Sequence, residues 1–363
     1  MLTALSVVGI LVLLIVAHEL GHFIAAKLSG VRVQEFGVGY PPRAFSFGKI
    51  GDTEYTLNWI PFGGFVRLFG DAGEKEHGRG SFVDAPRYKQ ALVLVAGVTA
   101  NMIVAWALFA LALHAGVPKP VETVSPGQSA QLIVSSVIPG SPASAAGIKP
   151  GDEITALIDA SGARVERLAS QQVADFVRAR GGEPLRITFA HAGVSSTVTV
   201  TPANAVLPGA AAQPALGVAL VLVAMESAPW GRAFIDAFSH TGSAFSMVAG
   251  DLWTLFSGAI RGAPDVASVV GPVGIVSYVG EASHNGVGAV LMFAGLISIN
   301  LAIINLIPIP ALDGGRLFIL GIESLMRRRA PQLAVQGINA LGVALIVVLM
   351  LVVTYNDIAR LFA

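Results

Sequence analysis

Two histidines four residues apart, with a glutamate after the first, form the most chemically suggestive stretch of this sequence: His18-Glu19-Leu20-Gly21-His22. On a helix, residues i and i+4 share a face. Two imidazoles at that spacing can grip one metal ion, and zinc takes such nitrogens at about 2.0–2.1 Å. Glu19, next to the first of them, is placed to take a proton from an attacking water. The same pattern occurs by chance in many helices that bind nothing. Here it falls in an apolar run from about Leu5 to Leu28, where each ionisable group costs roughly 2.5 kcal/mol or more to insert. A bound metal offsets that cost, which favours the metal reading. A catalytic zinc keeps three protein ligands and one open position. The chain has no cysteine, so the third ligand must be a histidine or a carboxylate. Asp313 is the candidate. It lies at the end of an apolar segment, in Asn305-Leu306-Ile307-Pro308-Ile309-Pro310-Ala311-Leu312-Asp313-Gly314-Gly315. Two prolines there break the helix and two glycines let the backbone turn closely. Broken backbone at membrane depth is tolerated only where it is buried or lines a cavity. The other histidines, His77, His114, His191, His240 and His284, have no partner at metal spacing.

The elements that must position these groups are set by composition. Of 363 residues, 54% are hydrophobic and 13% charged, and the mean hydropathy is +0.70. That is too apolar for one soluble core. Four segments are long enough to cross a bilayer: about Leu5–Leu28, Ala91–Ala115, Val287–Ile307 and Val335–Val353. The first has no basic residues before its apolar run, so it reads as a retained helix rather than a cleaved signal. The net charge is zero, which gives no electrostatic case for nucleic acid. Basic residues crowd the first connection (Lys27, Arg32, Arg43, Lys49, Arg67, Lys75, Arg79, Arg87, Lys89) and the last (Arg316, Arg327, Arg328, Arg329). Short basic loops stay in the cytoplasm, so both chain ends and the long segment from Gly116 to Gly286 are expected outside.

Within that long segment, residues 132–137, 185–189 and 196–201 read as strands, the last two around a turn at Ala192-Gly193. Residues 171–180 have helical spacing. Residues 203–214 read as a linker. Phe234, Phe238, Phe245, Val248, Leu252, Phe256 and Ile260 mark an amphipathic helix, lying on the membrane surface or packed on the protein. Between the first two spans, 32–36, 44–47 and 54–59 alternate like strands, with 48–52 as a turn. They form either a substrate-binding sheet or a cytoplasmic cap. Asn305 is either a donor to substrate backbone or a helix–helix contact. Asn101 reads as a packing contact.

The stretch from Thr123 to Pro202 resembles a bacterial PDZ domain, on Gly140-Ser141-Pro142-Ala143 and Ala146-Gly147-Ile148-Lys149-Pro150-Gly151-Asp152. With His18–His22, Asn305–Gly315, Gly271-Pro272-Val273-Gly274-Ile275 and Trp59–Leu68, the chain resembles the site-2 protease family in its regulator of sigma-E protease branch. Two features depart from the pattern. There is one PDZ domain where that branch often carries two, and Val98 stands where the family usually has proline. The resemblance implies a polytopic α-helical membrane protein with a membrane-associated β-hairpin region and an inserted extracytoplasmic α+β PDZ domain. Its parts are an N-terminal membrane half (1–122), the PDZ domain (123–202), a linker and juxtamembrane region (203–286) and a C-terminal membrane half (287–363). It implies one zinc per chain on His18, His22 and Asp313, Glu19 as the catalytic base, and Asn305, Pro308, Pro310, Gly63 and Gly64 at the substrate. The expected substrates are single-span membrane proteins, such as anti-sigma factors or signal-peptide remnants, cut as the second step of regulated intramembrane proteolysis. A peptide or substrate terminus is expected at the PDZ domain. The expected location is the bacterial inner membrane, with the active site near the cytoplasmic side. A PDZ-bearing membrane scaffold or chaperone with a dead metal site is the main reading of another class, and the intact Glu19 weighs against it. A transporter is the other, and the two halves show no repeat that would support it.

Overall fold

The computed structural model describes residues 2–71, 77–122, 130–165, 169–191, 193–204, 213–261 and 271–361. Along the chain come α1 (Leu2–Ser29), β1 (Val33–Ile50), β2 (Thr53–Leu68), α2 (Arg87–Ala115), β3 (Val117–Pro120) and β4 (Ala130–Val137). Then follow α3 (Pro142–Ala145), β5 (Glu153–Ile158), α4 (Ser170–Arg178), β6 (Leu185–His191), β7 (Val194–Val200) and β8 (Val218–Glu226). Last are α5 (Trp230–Ile260), α6 (Pro272–His284), α7 (Val287–Leu306), α8 (Asp313–Met326) and α9 (Gln332–Leu361). The chain divides into two compact units: Met1–His114 with Pro229–Ser283 and Val290–Ala363, and Ala115–Ala228 with His284–Ala289.

In the first unit, α1, α2, α7 and α9 contain stretches long and apolar enough to cross a membrane: Leu5–Ser29, Arg87–Ala115, Val287–Leu306 and Leu333–Ala359. These match the four expected spans. The α1 helix stops because Gly30 takes a left-handed conformation (φ +78°). The Gly30 N–H donates to Lys27 O and the Val31 N–H to Ala26 O, closing the last carbonyls.

The β1–β2 hairpin is longer than the sequence suggests. Residues 35–38 of β1 pair with both 54–57 and 64–67 of β2, while 43–50 pair with 53–58. Each strand therefore bends back, and four segments lie in the order 64–68, 33–38, 54–57, 43–50. Three of them were legible as alternating runs. The fourth, 64–68, follows Gly63-Gly64, and Gly63 (φ +122°) allows the bend before it. One outer edge of the sheet is thus 64–68. The other end carries exposed Phe45, Phe47 and Ile50.

The α5 helix bears out the expected amphipathic segment. Its first turns pack on α2: Trp230 stacks on His114 at 3.9 Å, Phe234 lies 5.4 Å from Trp106, and Trp106 Nε1 donates to Phe234 O. Ile235, Phe238 and Trp253 stay exposed. The α6 helix begins at the Gly271–Ile275 motif. Its first amides are closed by Asp357 of α9, which accepts from the N–H groups of Gly271 (3.2 Å) and Gly274 (2.8 Å). A side chain at Gly271 would occupy the Asp357 carboxylate position.

The second unit is a six-stranded antiparallel sheet, order β3-β8-β4-β5-β6-β7. Leu132, Val134, Leu157, Leu185 and Ile187 form its core with Val173 and Val177 of α4. Each such side chain contributes about 1.5–3 kcal/mol on burial. The α3 helix starts conventionally, with Ser141 accepting from the Ser144 N–H and Pro142 in the first turn. The sheet corrects one expected boundary. It does not end at Pro202, because β8 returns to lie between β3 and β4. Residues 218–226 are almost wholly apolar, and so gave no period-two signal. The expected start at Thr123, most of the linker 203–214, Lys75 and Ala192 lie outside the described residues.

Candidate metal centre

The α1 helix presents His18 and His22 one turn apart, both buried, toward α2. Three α2 positions on one face, at i, i+4 and i+8, meet them. Val93 O accepts the Nδ1–H of His22 (2.8 Å). Gly97 leaves the space the rings fill: a Cβ there would fall on His22 Nε2 and 2.7 Å from His18 Cε1. Asn101, fully buried, puts its side-chain amide 3.3 Å from His18 Nδ1. Gly21 supplies the matching close approach on α1, lying against Ala96 O and Ala100.

Asp313 reaches the same point from the opposite end of the sequence. The α7 helix stops at Leu306, and the chain turns through Pro308, Pro310 and Ala311 (φ +75°) before α8 starts. The expectation placed Asp313 at the end of the third apolar segment. It instead opens a separate short helix, because the prolines end α7 and the backbone of 306–310 packs onto Gly314 and Gly315. Side chains at those two glycines would run into the carbonyls of Leu306, Ile307 and Ile309.

His18 Nε2, His22 Nε2 and Asp313 Oδ2 then form a near-equilateral triangle of 3.0, 3.0 and 3.1 Å. Whether these donors suit a metal ion follows from their spacing and chemistry. Ligand atoms about 2.0–2.1 Å from a zinc ion at tetrahedral angles stand roughly 3.3 Å apart. The His22 N–H is used on Val93 O, so neutral His22 faces another nitrogen and a carboxylate oxygen with a lone pair. Lone pairs gathered this way repel unless a cation lies among them. The set fits zinc.

Glu19 is half-buried beside the triangle, partnered by the Val66 backbone N–H of β2. Gly64 of the same segment lies so close that its Cβ would stand 3.1 Å from Glu19 Cγ. Glu19, Tyr40, Gly63, Gly64, Asn305 and Asp313 line one cavity of about 620 Å³. The structure thus brings together His18, His22, Asp313, Glu19, Asn305, Gly63 and Gly64. Pro308 and Pro310 do not line this cavity. Pro308 borders a separate apolar groove with Leu306 and Phe318, and the Pro310 carbonyl abuts Gly342 of α9. These prolines shape the break that aims Asp313. Sequence reasoning missed Val93, Gly97 and Tyr40, and read Asn101 as packing. The spacing of positions 93, 97 and 101 could have suggested a shared face, but not what that face meets. Arg316 and Asp71, paired with each other, also line the cavity.

The sequence profile of peptidase family M50 matches residues 6–349. A Clostridium perfringens protein is 33% identical over 346 residues, covering 95% of each chain. "Zinc metalloprotease RasP" of Oceanobacillus iheyensis is 28% identical, covering 100% of each chain. Its namesake in Geobacillus kaustophilus is 27% identical, covering 96% of each. A solved PDZ domain of an SdrC-like protein from Listeria monocytogenes is similar over 28% of this chain and 93% of its own, with 21% identity and a TM-score of 0.20, too low to carry an argument. With its profile matched from residue 6 to residue 349 and a donor set that suits zinc, the chain belongs to peptidase family M50 and is a membrane-embedded zinc metalloprotease.

Proposed function

We propose that the enzyme hydrolyses peptide bonds in or near the transmembrane segment of single-span membrane proteins, as the second cut after another protease has shortened them. The observation that carries this reading is the triangle of His18, His22 and Asp313 beside Glu19, in a cavity flanked by helices long and apolar enough to span a membrane. In this reading His18, His22 and Asp313 hold the zinc, which when bound supplies Lewis-acid polarisation of the scissile carbonyl and acidifies the attacking water. Glu19 takes the proton from that water and delivers it to the leaving amine. Val66 N–H orients the carboxylate for both transfers.

A helical substrate hides its carbonyls and must unwind first. The segment 64–68 is an outer edge of the hairpin sheet and lines the cavity through Gly64, Phe65, Val66 and Leu68. An unwound substrate added to that edge as a further strand would be held extended. Gly63 and Gly64 let that edge lie close against Tyr40 and Glu19, and Asn305 donates to the substrate backbone. Anti-sigma factors and signal-peptide remnants are the substrate types that fit. In this reading the metal centre lies near the cytoplasmic side of a bacterial inner membrane and the inserted sheet domain, read as a PDZ domain, outside, which the basic connections support. There it would bind a peptide or substrate terminus. In the second unit a groove between α4 and β8, lined by Val173, Val177, Leu216 and Val218, suits an extended chain.

The test is cleavage of a single-span substrate in two forms, intact and already shortened, by wild type and Glu19→Gln at equal membrane levels. Wild type should cut the shortened form. Glu19→Gln should lose activity by about 10²–10⁴-fold while keeping its zinc. Substantial cleavage by Glu19→Gln, or none of any membrane substrate by wild type, would overturn the reading.

A further inference from the structure

Asn101 is a polar side chain in contact with His18 to which the mechanism above gives no task. It is fully buried on α2, four residues past Gly97. One atom of its amide lies 3.3 Å from His18 Nδ1. Oriented with the nitrogen on His18, its oxygen is buried without a hydrogen-bond partner. Amide oxygen and nitrogen differ only by a half-turn about the last side-chain bond, so the hydrogen-bond partner decides the orientation.

The two orientations have opposite consequences for the metal. If the amide nitrogen donates to His18 Nδ1, the ring proton must sit on Nε2. That proton then points into the triangle shared with His22 Nε2 and Asp313 Oδ2, and His18 has no lone pair to offer. If the amide oxygen faces His18, it accepts the Nδ1–H. Nε2 is then left bare, aimed at the triangle, and the buried oxygen is used. His22 already shows the same arrangement, with its Nδ1–H on Val93 O. Ligating histidines generally give their second N–H to such a partner, which fixes the tautomer and the ring plane.

We propose that Asn101 is a positioning residue. Its side-chain oxygen accepts the Nδ1–H of His18 and holds that imidazole in the zinc-binding tautomer. The α2 helix thereby serves both ligands from one face: a backbone carbonyl at Val93 for His22, open space at Gly97, and a side-chain oxygen at Asn101 for His18. Ser298 Oγ donates to the Asn101 main-chain carbonyl (2.8 Å), tying this point of α2 to α7. That bond survives any change of the 101 side chain, which separates the proposed role from a merely structural one.

The proposal rests on His18 being a zinc ligand, and the experiment tests the two separately. Purified full-length wild type, Asn101→Asp, Asn101→Leu and His18→Ala are stripped of metal. The thermal midpoint of each metal-free form is recorded, and zinc affinity is measured by competition with a chelating dye. Asp keeps an acceptor oxygen at this place, and Leu has similar bulk but none. Asn101→Leu should bind zinc about 10–100-fold more weakly, Asn101→Asp should stay within about threefold of wild type, and the metal-free midpoints should not track this split. Wild-type affinity in Asn101→Leu, or equal losses in the Asp and Leu variants, overturns the role of Asn101. Wild-type affinity in His18→Ala overturns the ligand assignment instead. Should Asn101→Leu fail to fold, Asn101→Ala takes its place, and wild-type affinity there is equally fatal.

Discussion

A Cβ at position 97 would fall on Nε2 of His22. The α2 helix therefore does more than pack beside α1. Its missing side chain is the space in which the two imidazoles meet.

Gly97→Ala should displace both rings. A shift of roughly 1 Å in a reacting group costs about 10²-fold in rate, and zinc should be held more loosely as well. Gly9→Ala on α1 is the control, because a Cβ there meets nothing within 4 Å. Zinc content and cleavage rate of both variants decide the matter. A fully active Gly97→Ala would show that the helices separate without harm.

Asp313 closes the donor triangle from a helix 291 residues after His22 in sequence. Asp313→Ala should lower zinc affinity steeply and abolish cleavage. Stripping zinc from wild type with a chelator should abolish cleavage too, and adding zinc back should restore it only in wild type. Full activity of Asp313→Ala would remove it from the ligand set.

A pH dependence is expected in the inserted sheet domain. Hydrogen bonds from Ser161, Arg180 and the Ala163 N–H hold the Asp159 carboxyl down to about 2 from an ordinary 3.8. A depressed carboxylate contributes stability that is fully present above the ordinary value and is lost as pH falls through the lowered one. Protection of the 159–163 turn against hydrogen exchange, taken relative to the intrinsic rate at each pH, should therefore fall from about pH 4 down to about pH 2. In Asp159→Asn that protection should be low throughout and lose its pH dependence. An unchanged profile in Asp159→Asn would refute the assignment.

Orientation rests on the basic connections. A reporter inserted between His77 and Pro86 should read cytoplasmic, and one in the turn at Asp159–Gly162 extracytoplasmic. The reverse pattern would invert the membrane reading and with it the side on which cutting occurs.

The four spans, both histidines, Glu19 and Asp313 were legible in the chain because each leaves a local mark. Twenty apolar residues are long enough to cross a bilayer, and ionisable groups inside such a run demand an explanation. β8 left no such mark. Its residues form a nearly continuous apolar run with no period of two, so the sheet was expected to end at Pro202, 24 residues before β8 ends at Glu226. The fourth hairpin segment, 64–68, was hidden because Gly63-Gly64 interrupts the alternation that would announce it.

By itself, the sequence determined which residues have metal-binding chemistry, because donor type and helical spacing are local properties of the chain. Only the tertiary structure decided what surrounds them. It set Asn101 against His18, gave His22 the carbonyl of Val93, and set Glu19 against the Val66 N–H. It also moved Pro308 and Pro310 out of the cavity and into the turn that aims Asp313. Those relationships join segments tens to hundreds of residues apart, and they follow from which helix faces pack closely enough to touch, which no local pattern encodes.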